Sequence, residues 1–312
     1  MGSIVAQKAF IIVFGAIKLG KTTDVLMSFP RSVFIAAPGA LKSSVGVAGF
    51  DPPQAAVRDL AGLVEVIALI ESIGKLPENK RPDAIVVDDL TLFFSREVAR
   101  LEKSASGYDL WGIVYRRILN LREAARSVGV HVVFTTHELP PREDKGLRLP
   151  GSIALPGKKL PYDVPAAADM VLRAQPLAAE EGSGLGWPVL YRCDPTDVEW
   201  RTGDRHNVTP DRSPMNLGEI LRLVARESGA PAGWAPRRAP GLEWHEPWIE
   251  SAAGVIDVSQ IPKAREVLRA LNAACLKKDA DPRHAAWAVR DAWDRAVLRH
   301  ALQSHHTKHF GI

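Results

Sequence analysis

Phe10-Ile-Ile-Val-Phe-Gly-Ala-Ile-Lys-Leu-Gly-Lys-Thr-Thr23 is the stretch whose reading decides the fold. Five apolar residues lead into Gly15, and Gly15 to Thr22 match G-x-x-x-x-G-K-[ST] at each fixed position. A strand that delivers the chain to a glycine-bounded loop, followed at once by a helix, lets backbone N–H groups close around a phosphate. The helix points its positive end at the same anion. The cradle comprises Gly15, Ala16, Ile17, Lys18, Leu19, Gly20, Lys21, Thr22 and Thr23. Lys21 is expected to reach the β/γ-phosphates and the Thr22 hydroxyl to hold Mg²⁺, so ATP and Mg²⁺ are the expected ligands. A chance match in a Gly-rich turn is the competing reading, and the strand-loop-helix context weighs against it.

A second signal lies downstream in Asp83-Ala-Ile-Val-Val-Asp-Asp-Leu90. Branched apolar residues ending in two carboxylates describe a buried parallel strand emerging at its C-terminal edge. Asp88 is placed for the Mg²⁺ shell and Asp89 to orient an attacking water. Around these two strands the pattern alternates. Thr23–Phe29 is a short helix stopped by Pro30, and Ser32–Ala37 is a strand. Apolar residues at helical spacing predict a long helix over Gln54–Ile73 and two more over Leu92–Lys103 and Leu110–Ser127. Val130–Glu138 is a further strand with a polar end. Strands alternating with helices predict an α/β domain with a mostly parallel central sheet and helices on both faces.

From Leu139 to Pro165 the sequence is too rich in Pro and Gly to predict regular structure. Lys145, Arg148, Lys158 and Lys159 make it basic, which suits either a phosphate-contacting loop or an ordinary solvated excursion. Strands are expected at Ala168–Arg173, Pro188–Cys193 and Val198–Thr202, with a Gly-rich turn at Gly182–Gly186, and a helix at Asn216–Ser228. Three regions follow: a nucleotide-binding domain over 1–228, a Pro/Trp-rich linker over 229–248 and a helical C-terminal extension over 249–312.

The 312 residues suffice for one large domain or two modest ones. No run approaches the ~20 apolar residues of a membrane span, and no signal-peptide pattern opens the chain. Two cysteines make no disulfide framework, so the expected location is the cytoplasm. A formal net charge of +4 is compatible with a polyanionic partner and does not require one.

Together these motifs resemble the phage-type RecA-like ATPases, a group that includes single-strand annealing and recombination proteins. The resemblance spans roughly residues 9–225. It rests on the loop at 15–22, Val87-Asp-Asp89, Trp111-Gly112, Thr135-Thr-His-Glu138, Leu149-Pro-Gly, Leu160-Pro and Trp200-Arg-Thr-Gly-Asp-Arg205. It implies an ATP–Mg²⁺-dependent P-loop NTPase of RecA-like fold that binds single-stranded DNA as a homo-oligomer, in recombination or replication. His137 falls where the family places a γ-phosphate sensor, though a satisfied strand-end histidine fits as well. Arg205, with Arg201, falls where a basic residue contacts the nucleotide, often across a subunit boundary; a surface arginine in a turn is the alternative. One departure matters. Where the family's second strand ends in a water-activating glutamate, this chain has Ala36-Ala-Pro-Gly39. Hydrolysis then falls to Asp89 or Glu138. The rival reading is a nucleotide-binding structural or assembly module with little turnover, and a DNA-packaging or helicase-type motor is a third.

Overall fold

The structure, a computed structural model, describes residues 8–42, 54–56, 60, 62–177, 189–227, 232–238, 245–278 and 282–310. The chain opens with β1 (Phe10–Gly15), the glycine-bounded loop 16–20, α1 (Lys21–Ser28), β2 (Ser32–Ala36) and β3 (Gln54–Ala56). After α2 (Leu63–Gly74) come β4 (Ala84–Asp88), α3 (Leu90–Leu101), α4 (Gly107–Ser127) and β5 (His131–Thr136). Four short strands follow: β6 (Glu138–Leu139), β7 (Arg142–Asp144), β8 (Leu147–Leu149) and β9 (Ser152–Ile153). Beyond α5 (Leu160–Asp163) lie β10 (Met170–Pro176), β11 (Val189–Arg192), β12 (Gly203–Asp204) and β13 (Arg212–Pro214). The chain continues through α6 (Leu217–Glu227), α7 (His245–Val255), α8 (Ile261–Lys278) and α9 (Pro282–Phe310).

The main sheet runs β13-β11-β10-β1-β5-β4-β2-β3, with β12 also on β10. From β10 to β3 every pairing is parallel, while β11 and β12 run antiparallel to β10. β1 is therefore central, and its alternation explains the two layers. Phe10, Ile12 and Phe14 pack with Val66 and Ile70 of α2, Phe93 of α3 and Val114 and Ile118 of α4. Ile11 and Val13 face the other way, onto Val25 and Leu26 of α1, Ile220 of α6 and Leu298 of α9. This is a mixed α/β architecture with a mostly parallel sheet, helices on both faces and a helical C-terminus. No helix among the described residues is long and apolar enough to cross a membrane.

Three sequence expectations change. The helix expected over Gln54–Ile73 begins only at Leu63, after Gly62, and Gln54–Ala56 instead extends the sheet by pairing with Phe34–Ala36. Edge pairing outcompetes the helical periodicity there. The expected irregular loop at 139–165 holds a nested pair of hairpins, β6 with β9 and β7 with β8. Its tip is a two-residue turn in which Lys145 (φ 53°) and Gly146 (φ 79°) are both left-handed, the geometry that matches strand twist. The strand expected at Val198–Thr202 shrinks to a single parallel β-bridge between Trp200 and Gly151, after a bend in which Asp197 Oδ1 accepts from the N–H groups of Glu199 and Trp200. The Gly182–Gly186 turn lies outside the described residues. Helix α7 begins inside the stretch read as linker, and Trp234 of that stretch is buried against His206.

Candidate nucleotide site

Gly15 ends β1 beside β10. A Cβ there would sit 2.5 Å from the Ala174 carbonyl oxygen, so only glycine lets the chain turn out of the sheet at this point. Lys18 (φ 63°) and Gly20 (φ 87°) complete the reversal into α1. Lys21 is folded back across the loop, its Nζ donating to the carbonyls of Gly15 (3.0 Å) and Ala16 (2.7 Å). Burial lowers the Lys21 pKa, while Asp88, Asp89 and Glu138 nearby raise it. Ile17 is 64% exposed, so the loop's outer wall is open to an incoming ligand.

The sheet register brings the second strand to this loop. Asp88 is buried at the end of β4, and the Thr22 hydroxyl donates to it at 3.1 Å from each carboxylate oxygen. The Thr135 hydroxyl, at the end of β5, donates to Oδ1 of the same group. Burial pushes the Asp88 carboxyl up; the Thr135 and Thr22 hydroxyls and the Lys21 charge hold it down, and Asp89 adds to the rise. A hydroxyl and a carboxylate are hard oxygen donors, the set that suits Mg²⁺ with water completing its shell. Thr22 and Asp88 thus fit the ion expected from the sequence.

The carboxylates assigned to hydrolysis lie close by but are engaged. Asp89 Oδ1 accepts from the N–H of Leu92 (2.7 Å), capping α3, and its Oδ2 lies 2.9 Å from His137 Nε2. Glu138 Oε2 accepts from Arg173 Nε at 3.0 Å. Arg173 in turn stacks on the Trp200 ring, 3.5 Å from its centroid, and Trp200 also faces Phe14. Gly151 presses on the same indole, where a Cβ would come within 2.5 Å of the ring. Glu138, Arg173, Trp200 and Gly151 therefore join the hairpin to the strand that carries the phosphate loop. Thr135 stood in the sequence only as part of Thr135-Thr-His-Glu138, with no role of its own, and Arg173 only as a strand end. An arginine inside the apolar run Met170–Ala174 was the available signal for the second.

Two other assignments are placed elsewhere. Arg205 Nε pairs with Asp169 Oδ1 at 3.0 Å, and Asp169 precedes β10 and accepts from the Phe10 N–H. That is the opposite edge of the sheet, five residues below Gly15 and so roughly 16 Å from the phosphate loop at ~3.3 Å per residue. Arg205 does not join the site of its own chain. In the hairpin region, Lys158 pairs with Asp144 (2.7 Å) and Arg148 with Glu199, while Lys145 and Lys159 stand exposed. These four basic residues surround the hairpin and do not touch the phosphate loop.

No protein-family model and no curated protein sequence matches this chain. Among solved structures, the crystal structure of the RadB recombinase is similar to it at 18% identity. The match covers 56% of this chain and 77% of that chain, with a TM-score of 0.36.

Proposed function

We propose that the protein binds ATP with Mg²⁺ and is a RecA-like NTPase whose turnover depends on single-stranded DNA, in recombination or replication of the phage type. The observation that carries this reading is the convergence of Lys21, Thr22 and Asp88 at one edge of the sheet, with bonds already between the last two. On binding, Lys21 exchanges the Gly15 and Ala16 carbonyls for phosphate oxygens, and the N–H groups opening α1 hold the same anion. A bound Mg²⁺ neutralises phosphate charge and orients the transferring group. Asp88, which accepts from the Thr22 and Thr135 hydroxyls, and Thr22 would hold that ion. Asp89, backed by His137, and Glu138 are the bases available to take a proton from water. Glu138 lies on β6 at the base of the nested hairpins whose outer pair carries Lys145 and Arg148, so a strand of DNA lying along Lys145, Arg148, Lys158 and Lys159 would act on the Glu138–Arg173 pair through the hairpins.

One observation favours a second reading, a nucleotide-binding module without appreciable hydrolysis. Asp89 is used as a helix cap, Glu138 as a partner of Arg173, and β2 ends in Ala36 opposite Asp88. Phosphate release with and without single-stranded DNA separates the two. DNA-stimulated release supports the ATPase; tight ATP binding with no release in either condition supports the module.

A further inference from the structure

The first turn of α1 contains a carboxylate that the phosphate motif does not need. Asp24 follows Lys21 by three residues and is 4% exposed. A buried negative charge beside a site for anionic phosphates opposes binding unless it is compensated. The compensation comes from the far end of the sequence. Arg290 of α9 places NH2 3.0 Å from Asp24 Oδ1 and also donates to the Met215 carbonyl and, at 3.3 Å, to the Met27 sulfur. On the other carboxylate oxygen, the Tyr191 hydroxyl donates at 2.7 Å and the Leu217 N–H, opening α6, at 3.1 Å. Burial raises the Asp24 pKa, and the Arg290 charge is the strongest influence opposing that rise.

The same junction fixes the helix in place. The Gly218 N–H donates to Ser28 Oγ at 2.8 Å, and a Cβ on Gly218 would sit 3.2 Å from the Ser28 Cα. Arg290 is itself steadied by Asp294, 3.4 Å away, whose carboxylate accepts from Asn216. α1 is thus gripped from β11, α6 and α9 at once, and the charged member of that grip comes from the C-terminal helices.

We propose that Arg290 is a positioning residue of the phosphate site: it neutralises and holds Asp24 in the P-loop helix, which makes the C-terminal helix part of the nucleotide-binding unit. The inference rests on reading residues 15–23 as a phosphate site. Its chemistry is local. With Arg290 present, the first turn of α1 offers an anion N–H groups and Lys21 with no net opposing charge. Without it, the Asp24 carboxylate is left buried and uncompensated in the first turn of α1.

The test is calorimetric titration of ATP–Mg²⁺ into the full chain, with thermal melting of each variant alongside. Arg290→Met is expected to weaken ATP about tenfold, the effect of one uncompensated charge on the order of 10 Å from the phosphates at an effective dielectric near 20. Arg290→Lys restores most of the loss because it restores the charge. The decisive comparison is wild type against Asp24→Asn/Arg290→Met. Removing the carboxylate together with the guanidinium leaves the net charge of the pair unchanged, so the double variant should bind ATP within about twofold of wild type, the tolerance of independent effects. This comparison also serves if Arg290→Met alone does not fold. Affinity that falls as far in the double variant as in Arg290→Met, in step with melting temperature, marks a purely structural anchor and overturns the proposal. Wild type that binds, loses binding on Lys21→Ala and is indifferent to Arg290→Met overturns it alone. Wild type that does not bind ATP–Mg²⁺ overturns the phosphate-site reading and this proposal with it.

Discussion

The corner proposed to hold phosphate and the corner proposed to activate water are built from neighbouring strand ends, yet they differ in how their side chains are spent. At the first corner, Thr22 already donates to Asp88, Thr135 supports the same carboxylate, and Lys21 rests on carbonyls it can leave. At the second, Asp89 caps a helix and Glu138 is paired with Arg173. One corner is assembled for a ligand; the other is occupied by structure. Preorganised binding groups lower the reorganisation a ligand must induce. A carboxylate held by an arginine or a helix N-terminus is a poor base until that partner moves. The two corners therefore predict tight binding and slow unaided turnover.

Several substitutions test that contrast, from the largest expected effect downward. Asp89→Asn should keep the α3 cap, since the amide oxygen still accepts from Leu92, and leave ATP affinity intact. DNA-stimulated phosphate release should fall by about 10²–10⁴, the usual worth of a general base. If neither Asp89→Asn nor Glu138→Gln slows release, the second corner holds no base. Lys21→Ala should weaken ATP by about 100-fold or more, since truncating one partner of a buried charge pair costs roughly 2–5 kcal/mol. Equal ATP affinity in calorimetry would remove the first corner.

Asp88→Asn should weaken Mg²⁺-dependent binding about tenfold, the worth of one charge-assisted contact. Because burial already disfavours the Asp88 carboxylate, the melting temperature of this variant should hold or rise. A fall in melting temperature with unchanged Mg²⁺ dependence would make Asp88 structural.

The smallest effect concerns the hairpin. Replacing Lys145 and Lys159 by Ala should flatten the salt dependence of single-strand binding by about 0.7 in log–log slope per lost phosphate contact. Arg148 and Lys158 should contribute less, because Glu199 and Asp144 already hold them. An unchanged slope in all four would move DNA away from this surface.

The first corner was legible in the sequence because its parts are contiguous: the loop at 15–22 and the pair Asp88-Asp89 each fall within a few residues. Their meeting could be anticipated from the alternation of strands and helices. The second corner was legible only as a set of residue types. That Asp89 serves as a cap, and that Glu138 meets Arg173, depend on where β5 ends against α3 and on the register of β10 with β1. No local pattern encodes either. Arg205 was expected to contact the nucleotide, often across a subunit boundary; its pairing with Asp169 at the opposite edge of its own sheet depends on strand direction in the same way. The hairpin was hidden because its prolines flank strands of two or three residues, and the turn at Lys145-Gly146 carries the order. Asp24 and Arg290 are separated by 266 positions, and nothing in the charged helix α9 marks one arginine among several.

The most direct test of the contrast follows bound ATP and released phosphate in the same sample of wild-type protein with Mg²⁺ and no DNA. The two corners predict one ATP bound per chain, Mg²⁺-dependent and lost in Lys21→Ala, with phosphate appearing far more slowly than ATP exchanges. ATP that fails to bind, or phosphate released as fast as ATP exchanges without any DNA, would contradict the account.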